Sequence, residues 1–302
     1  MTVYAMSDIH GNFQALEKAL DFLFNKTKIS IGEDKLIFLG DYIDRSPDGY
    51  SVLKTIYDLQ QKHGKENIIV LMGNHDEMFL EWLKNPSNTL HLINDKPLTT
   101  VKSFIKPLNK EWNLIFDGVD AIYDISDPNN QIKVTQEVVD TIKTEYKELL
   151  DWYQNLDYFY EYGNALFVHA GFEEEPSGHW TDSSKEEMTW KYPASLGYTP
   201  WNKEIVAGHI MTRELHPEGV PQEKEDSIYR NKDHIFIDGA TPITNHINIL
   251  AYDENGIAYF KEGYEKTGKP DLLKEICDIY IGQENYEKAL EYALKGAGDN
   301  EE

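Results

Sequence analysis

The sequence predicts an α/β fold built from βαβ units, and three observations carry that prediction. Short apolar runs of strand length alternate with helical patterns along the first part of the chain. Each of these runs ends in polar side chains able to bind a metal ion. The same habit returns in the second half of the chain, after an amphipathic stretch that breaks the rhythm. Alternation of this kind argues a sheet with ligands gathering at its carboxyl edge.

Val3–Met6 reads as the first strand and runs into Ser7-Asp8-Ile9-His10-Gly11. Asn12 can cap a helix whose apolar positions Phe13, Leu16, Leu20 and Leu23 recur at helical spacing. Lys35–Leu39 is a second strand, followed by Gly40-Asp41-Tyr42-Ile43-Asp44-Arg45 and a helical stretch from Pro47 to Gln60. Ile68–Met72 is a third, ending in Gly73-Asn74-His75-Asp76. Residues from 77 to about 160 read as a helical insertion. Met78–Leu83 begins one helix there, and Val138, Val139, Ile142, Tyr146, Leu149 and Tyr153 mark a longer one. Trp82, Trp112 and Trp152 are expected in its core.

Strands resume at Ala165–Gly171, Ile205–His209 and His234–Gly239, and a hairpin over 247–260 turns at Asp253–Gly256. The 173–204 stretch, rich in Glu, Ser, Pro and Trp, reads as a long loop. Residues 265–302 read as a separate C-terminal helical hairpin, a cap on the main domain or a small docking element. Asn285–Leu294 within it resembles half of a tetratricopeptide repeat, but one copy buries no continuous core.

With 302 residues, the chain accommodates one large domain and a small appendage. Its net charge of −24 argues against a nucleic-acid-coating surface. Cys277 is the single cysteine, so no internal disulfide forms, and no Arg follows it closely as a cysteine-based phosphatase loop requires. The N-terminus has no basic, apolar leader pattern and no run reaches membrane-spanning length, so a cytoplasmic, membrane-free protein is expected. Gly263–Lys269 matches most of a phosphate-binding loop, but Pro270 stands where the loop needs a hydroxyl and a backbone N–H. His75-Asp76 closes a strand, which sets it apart from the all-helical phosphohydrolases that use that pair.

Each strand-end motif has an ordinary reading on its own. Asp41-x-x-Asp44-Arg45 could be a capped, salt-bridged turn, and a single strand-end His is commonly a satisfied turn residue. Together, Asp8, His10, Asp41, Asn74, His169 and His209 supply carboxylate, imidazole and amide donors without a thiolate. That set suits Mn²⁺, Fe or Zn²⁺, and not a structural zinc knot.

The ordered set Asp8-x-His10-Gly11, Gly40-Asp41-x-x-Asp44-Arg45, Gly73-Asn74-His75, His169 and Gly208-His209 resembles the calcineurin-like metallophosphoesterase superfamily. It is closest to the serine/threonine phosphoprotein phosphatase branch and its bacterial members. The resemblance implies an α/β/β/α sandwich of two mixed sheets flanked by helices, with residues 1–264 as catalytic domain. It also implies two divalent ions, one held by Asp8, His10 and Asp41 and the other by Asp41, Asn74, His169 and His209. A hydroxide shared by the pair would attack a phosphate ester. Arg45, with Asn74 and His75, would bind the phosphate, and His75, oriented by Asp44, would protonate the leaving group. Asp238-Gly239 looks like the family's late strand end and is expected to give structural support.

The chain departs from the family pattern in several places. Ser7 and Ser46 replace usual glycines, and Met211 stands where many broader members carry a further His. Asp76 replaces the Glu of protein phosphatases and looks like the symmetrical dinucleoside tetraphosphate hydrolases, whereas Asp44 follows the protein-phosphatase form. Residues 173–204 contain no Arg, so Lys191 or Arg213 is the candidate second phosphate-binding cation. The expected substrate is a phosphopeptide or small phosphoester, with two alternatives: a nucleotide-polyphosphate hydrolase, or a pseudo-phosphatase that binds phosphate without turnover.

Overall fold

The computed structural model describes residues 1–261 apart from positions 28, 96, 128, 129, 254 and 255. The expected C-terminal hairpin at 265–302, Cys277 and the Gly263–Lys269 loop lie outside the described residues.

Strand β1 (Val3–Met6) leads through helix α1 (Phe13–Asp21) to β2 (Lys35–Phe38), then α2 (Gly49–His63), β3 (Ile68–Val70) and α3 (Asn74–Lys84). The Asn12 side chain caps α1, accepting the Ala15 N–H at 3.1 Å. β1 pairs in parallel with β2, and β2 with β3, as βαβ units require. Next come α4 (Leu90–Asn94) and α5 (Thr99–Ile105). A small antiparallel sheet of β4 (Leu114–Phe116), β5 (Ile122–Asp124) and β6 (Ile132–Lys133) then adds to the helices expected here. The long helix expected across 138–153 is two, α6 (Thr135–Glu145) and α7 (Lys147–Tyr153), because Tyr146 leaves the helical region between them.

The second half supplies β7 (Phe159–Tyr162), β8 (Ala165–Val168), α8 (Lys185–Trp190), β9 (Glu204–Ala207), β10 (Tyr229–Asn231) and β11 (His234–Phe236). It ends with α9 (Thr241–Thr244), β12 (Asn248–Asp253) and β13 (Gly256–Lys261). The 173–204 stretch is therefore not all loop. Ser184 caps α8 by accepting the Glu187 N–H at 3.1 Å, and Met188 anchors the helix in the core.

Two mixed five-stranded sheets result, ordered β13-β12-β1-β2-β3 and β10-β11-β9-β8-β7. In the first, β1, β2 and β3 run parallel and β12 and β13 pair antiparallel beside them; in the second, β11, β9 and β8 are parallel and the two outer pairings antiparallel. Strand periodicity assigns the faces. Val3, Ala5, Ile37, Leu39, Ile69 and Leu71 meet Phe167, Val206 and Ile235 between the sheets. The alternate residues Met6, Leu36, Phe38, Ile68 and Val70 pack on Leu16, Leu53, Ile56 and Phe79 of the helices. Leu166, Val168, Ile205 and Phe236 turn outward onto Phe172 and Met188. Burial on both faces explains why these strands read as continuous apolar runs. Trp82 is fully buried, and Trp112 and Trp152 pack partly buried against the same core. The carboxyl ends of β1, β2, β3, β8, β9 and β11 carry the polar motifs.

Candidate metal centre

Strand ends become a site here through unusual backbone geometry. Asp8, His10, Asp41, Asp44, Arg45 and His209 all have φ between +47° and +69°. Side chains other than glycine rarely adopt this conformation, and it persists where surrounding bonds over-determine it. Those bonds are present: His10 N–H donates to Asp41 O at 2.9 Å, Gly11 N–H to Tyr42 O at 2.8 Å and Ser46 N–H to His10 O at 3.0 Å. The loops after β2 and β3 also touch backbone to backbone. A Cβ on Gly73 would lie 2.3 Å from Asp41 Oδ1, so only glycine fits.

Asp76 locks the same two loops from beneath. Its buried carboxylate accepts N–H groups from Asp41 (2.8 Å), Tyr42 (3.2 Å) and Gly73 (2.9 Å), and the Tyr153 hydroxyl. Burial, reinforced by the nearby Asp41 charge, pushes Asp76 up to about 7. The side chain thus points into the protein, where it sets the geometry of the two loops. Ser7, in place of glycine, donates its hydroxyl to Asp8 Oδ2, beneath the bare Cα of Gly208. Asp8 Oδ2 also accepts the His209 N–H at 3.0 Å and so ties the two sheets together.

The six expected donors converge. His10 directs Nδ1 to the Ile43 carbonyl at 2.9 Å, and His169 directs Nδ1 to the Leu39 carbonyl at 2.8 Å. A carbonyl only accepts, so each Nδ1 carries the hydrogen and each Nε2 offers a lone pair. His10 Nε2 lies 3.4 Å from Asp41 Oδ2 and 3.9 Å from Asp8 Oδ1. His169 Nε2 lies 3.5 Å from Asp41 Oδ1 and 2.9 Å from Asn74 Oδ1, which is also 3.2 Å from His209 Nδ1. Acceptor thus faces acceptor, and a cation between them would satisfy both sides. Asp41 presents one oxygen to each half, and it belongs to both the His10–Asp41–His75 and Asp41–His169–His209 clusters.

Charge states agree with this geometry. Burial holds His10 well below the usual imidazole range, helped by the charges of His75 and Arg45. Burial also lowers His169, and burial with the neighbouring His169 pushes His209 down to about 3. These imidazoles are neutral, the form that binds metal. Burial raises Asp8 and Asp41, since two buried carboxylates are costly without a cation between them. The donor set therefore fits a pair of divalent ions.

Beside it, His75 turns Nδ1 to Asp44 Oδ2 at 2.7 Å and leaves Nε2 3.4 Å from Arg45 Nη2. Burial opposes the imidazolium, but the charges of Asp41 and Asp44 outweigh it and raise His75. Arg45 itself is exposed. Of the two candidate second cations, Arg213 is engaged by Asp226 at 2.6 and 2.7 Å. Lys191 pairs with Glu187 at 3.1 Å and lays its chain across Gly171, two residues beyond His169. Asp238 is buried, pushed well up by burial and by Asp8, and accepts the Ala240 N–H at 2.8 Å. Tyr153, Thr100 and His91, each a direct partner of a carboxylate in the site or its support, escape sequence reasoning. Only the i, i+4 spacing of His91 and Asp95 offered a signal.

A two-sheet α/β protein with paired carboxylate–imidazole clusters at its strand ends has the form of a metallohydrolase. The chain belongs to the calcineurin-like phosphoesterase family, whose description matches residues 1–237. It is 26% identical over 172 residues to a symmetrical bis(5'-nucleosyl)-tetraphosphatase of Nitrosospira multiformis, a match covering 57% of this chain and 44% of that one. It is 34% identical over 74 residues to a candidate serine/threonine-protein phosphatase of Caenorhabditis elegans, covering 24% of this chain and 19% of that one. The matches thus span less than half the length of either relative. A solved structure described as a candidate diadenosine tetraphosphatase shares the fold, with a TM-score of 0.50 at 16% identity, covering 86% of this chain and 93% of that one.

Proposed function

We propose that this protein hydrolyses phosphate monoesters, including phosphoserine or phosphothreonine side chains, with two divalent ions bound at the strand ends. In this reading Asp8, His10 and Asp41 hold one ion, Asp41, Asn74, His169 and His209 hold the other, and Asp41 is shared. Mn²⁺ suits the mixed oxygen and nitrogen donors, as do Fe and Zn²⁺. When bound, such a pair supplies a nucleophile at neutral pH and stabilises charge on the transferring phosphoryl group.

The protein's own residues do the rest. Arg45, exposed at the rim, grips two phosphate oxygens with its planar fork. His75 carries a proton on Nε2 toward the departing oxygen, and Asp44 at 2.7 Å fixes its ring and tautomer. Lys191 is the better candidate for a second phosphate contact, since a single Glu187 oxygen at 3.1 Å engages it beside Gly171, whereas both Asp226 oxygens clamp Arg213 at 2.6 and 2.7 Å.

One observation carries the preference for monoesters, the buried His75–Asp44 pair beside Arg45. A serine or threonine alkoxide is a poor leaving group and needs a positioned acid, whereas a departing nucleotide phosphate needs little help. The alternative reading, cleavage of a dinucleoside polyphosphate, draws support from the name of the Nitrosospira relative. It also draws on half-exposed Trp190, whose ring centroid lies 6.5 Å from that of His209, where a nucleobase could stack.

Phosphate release from a phosphothreonyl peptide and from diadenosine tetraphosphate, at equal concentration with Mn²⁺, separates the two. Faster peptide turnover is expected. Faster dinucleotide turnover would replace the monoester reading with the second. Turnover of neither would revive the phosphate-binding, non-catalytic alternative.

A further inference from the structure

The His75–Asp44 pair does not end at Asp44. Asp44 is fully buried, and Thr100 grips it twice, its hydroxyl donating to Asp44 Oδ1 at 2.6 Å and accepting the Asp44 N–H at 2.8 Å. Against the same oxygen that meets His75 stands His91 of α4, its Nδ1 3.4 Å from Asp44 Oδ2 and its Nε2 3.9 Å from Asp95 Oδ2, ion-pair distances at which neither buried nitrogen completes a hydrogen bond. Asp95 is anchored in turn by the Thr99 hydroxyl and by the Thr100 N–H at 2.9 Å. His91 is 0% exposed and packs against Phe79 (5.0 Å between ring centroids) and Trp82 (5.7 Å). An apolar ring would fill that aromatic niche without desolvating two nitrogens, so the imidazole calls for a polar reason.

We propose that His91 is a positioning residue for the general acid: its Nδ1 faces the same Asp44 oxygen that His75 binds and keeps that oxygen from swinging away. His91 touches no substrate and acts only through Asp44. Burial alone would raise Asp44, yet its carboxyl lies well below the usual carboxylate range, held there by its contacts with His91 and His75. A metal ion shared by Asp44, His91 and Asp95 is the competing use of this cluster. It fits poorly, because the two nitrogens of the one ring face different carboxylates.

The inference rests on the proposed acid role of His75, and the test separates the two. The rate kcat is measured for wild type, His91→Phe and His91→Gln on p-nitrophenyl phosphate, a good leaving group, and on a phosphothreonyl peptide, a poor one. His91→Phe should lose about tenfold or more on the peptide with KM nearly unchanged, and about twofold or less on p-nitrophenyl phosphate. His91→Gln, which keeps a donor toward Asp44, should recover most of the loss. In a His75→Ala background His91→Phe should cost about twofold at most, because the two act through one path. Equal losses on both substrates, or the same loss without His75, would reduce His91 to a packing residue and overturn the proposal. Wild-type protein inactive on both substrates would instead defeat the phosphoesterase reading. The metal-free protein still tests His91 in that case, through the low-field proton resonance of the His75–Asp44 hydrogen bond. That signal should shift or broaden in His91→Phe, and an unchanged signal counts against the proposal. If His91→Phe does not fold, His91→Gln and Asp95→Asn are compared by the same resonance.

Discussion

Replacing Asp41 with Asn should stabilise the metal-free protein while abolishing its response to metal. Asp41 Oδ2 faces the lone pair of His10 Nε2 at 3.4 Å, and Oδ1 faces that of His169 Nε2 at 3.5 Å. An Asn keeps one oxygen for the His75 N–H, which Asp41 accepts at 3.0 Å, and turns an NH₂ group toward one imidazole. It also removes a buried charge next to Asp8 and Asp44. An uncompensated buried ion costs several kcal/mol, so a gain of about 1–3 kcal/mol is expected. For a chain of this size that corresponds to roughly 2–10 °C in Tm. Burial raises the Asp41 carboxyl above its ordinary 3.8, so the folded state holds this proton longer than the unfolded chain. The contribution of Asp41 to stability is thus full below 3.8 and lost as pH rises through the raised value. The advantage of Asn should accordingly be small in acid and grow toward neutral pH. Calorimetry in chelator and then in Mn²⁺ reads both halves: wild type should gain about 2.7 kcal/mol for each ion bound at a hundredfold excess of metal over Kd, and the variant should gain little. A metal-free Asp41→Asn protein that melts below wild type at neutral pH would refute the reasoning, as would equal stabilisation of both by Mn²⁺.

His75→Ala should leave metal content unchanged in elemental analysis. It should lower kcat by about 10²–10⁴-fold on a phosphothreonyl peptide, and less on p-nitrophenyl phosphate. Tyr153→Phe removes one of four donors to the buried Asp76 carboxylate and should cost about 1.5–3 kcal/mol in denaturant unfolding at pH 8. Because burial holds Asp76 up at about 7, that cost should shrink as pH falls below this value and the carboxyl takes up its proton. Lys191→Ala should raise the inhibition constant for inorganic phosphate about tenfold, whereas Arg213→Ala should leave it unchanged and lower Tm through the loss of its Asp226 pair.

The central strands and their terminal motifs were legible in the sequence because both physical signals were local. Val3–Met6, Lys35–Phe38 and Ala165–Val168 are buried on both faces and read as unbroken apolar runs. The edge strands Phe159–Tyr162 and Tyr229–Asn231 are only partly buried, and their mixed composition hid them. Tyr146 kept the helical period intact across its break, so two helices read as one. The candidate metal donors showed because each stands within a few residues of a strand end. Their support did not show: Tyr153 reaches Asp76 from 77 residues away, and Thr100 reaches Asp44 from 56, with no local pattern to mark either contact. Asp76 was visible but ambiguous, and only its burial against backbone donors assigns it to loop geometry.

The most direct measurement is a Mn²⁺ titration of the metal-free protein, followed by electron paramagnetic resonance and phosphate release in the same samples. Two ions per chain with a spin-coupled spectrum are expected, activity appearing as the second ion binds, and Asp41→Asn should abolish the coupling and the activity together. One ion per chain, or two uncoupled ions with activity that survives Asp41→Asn, would contradict a centre built around a shared Asp41.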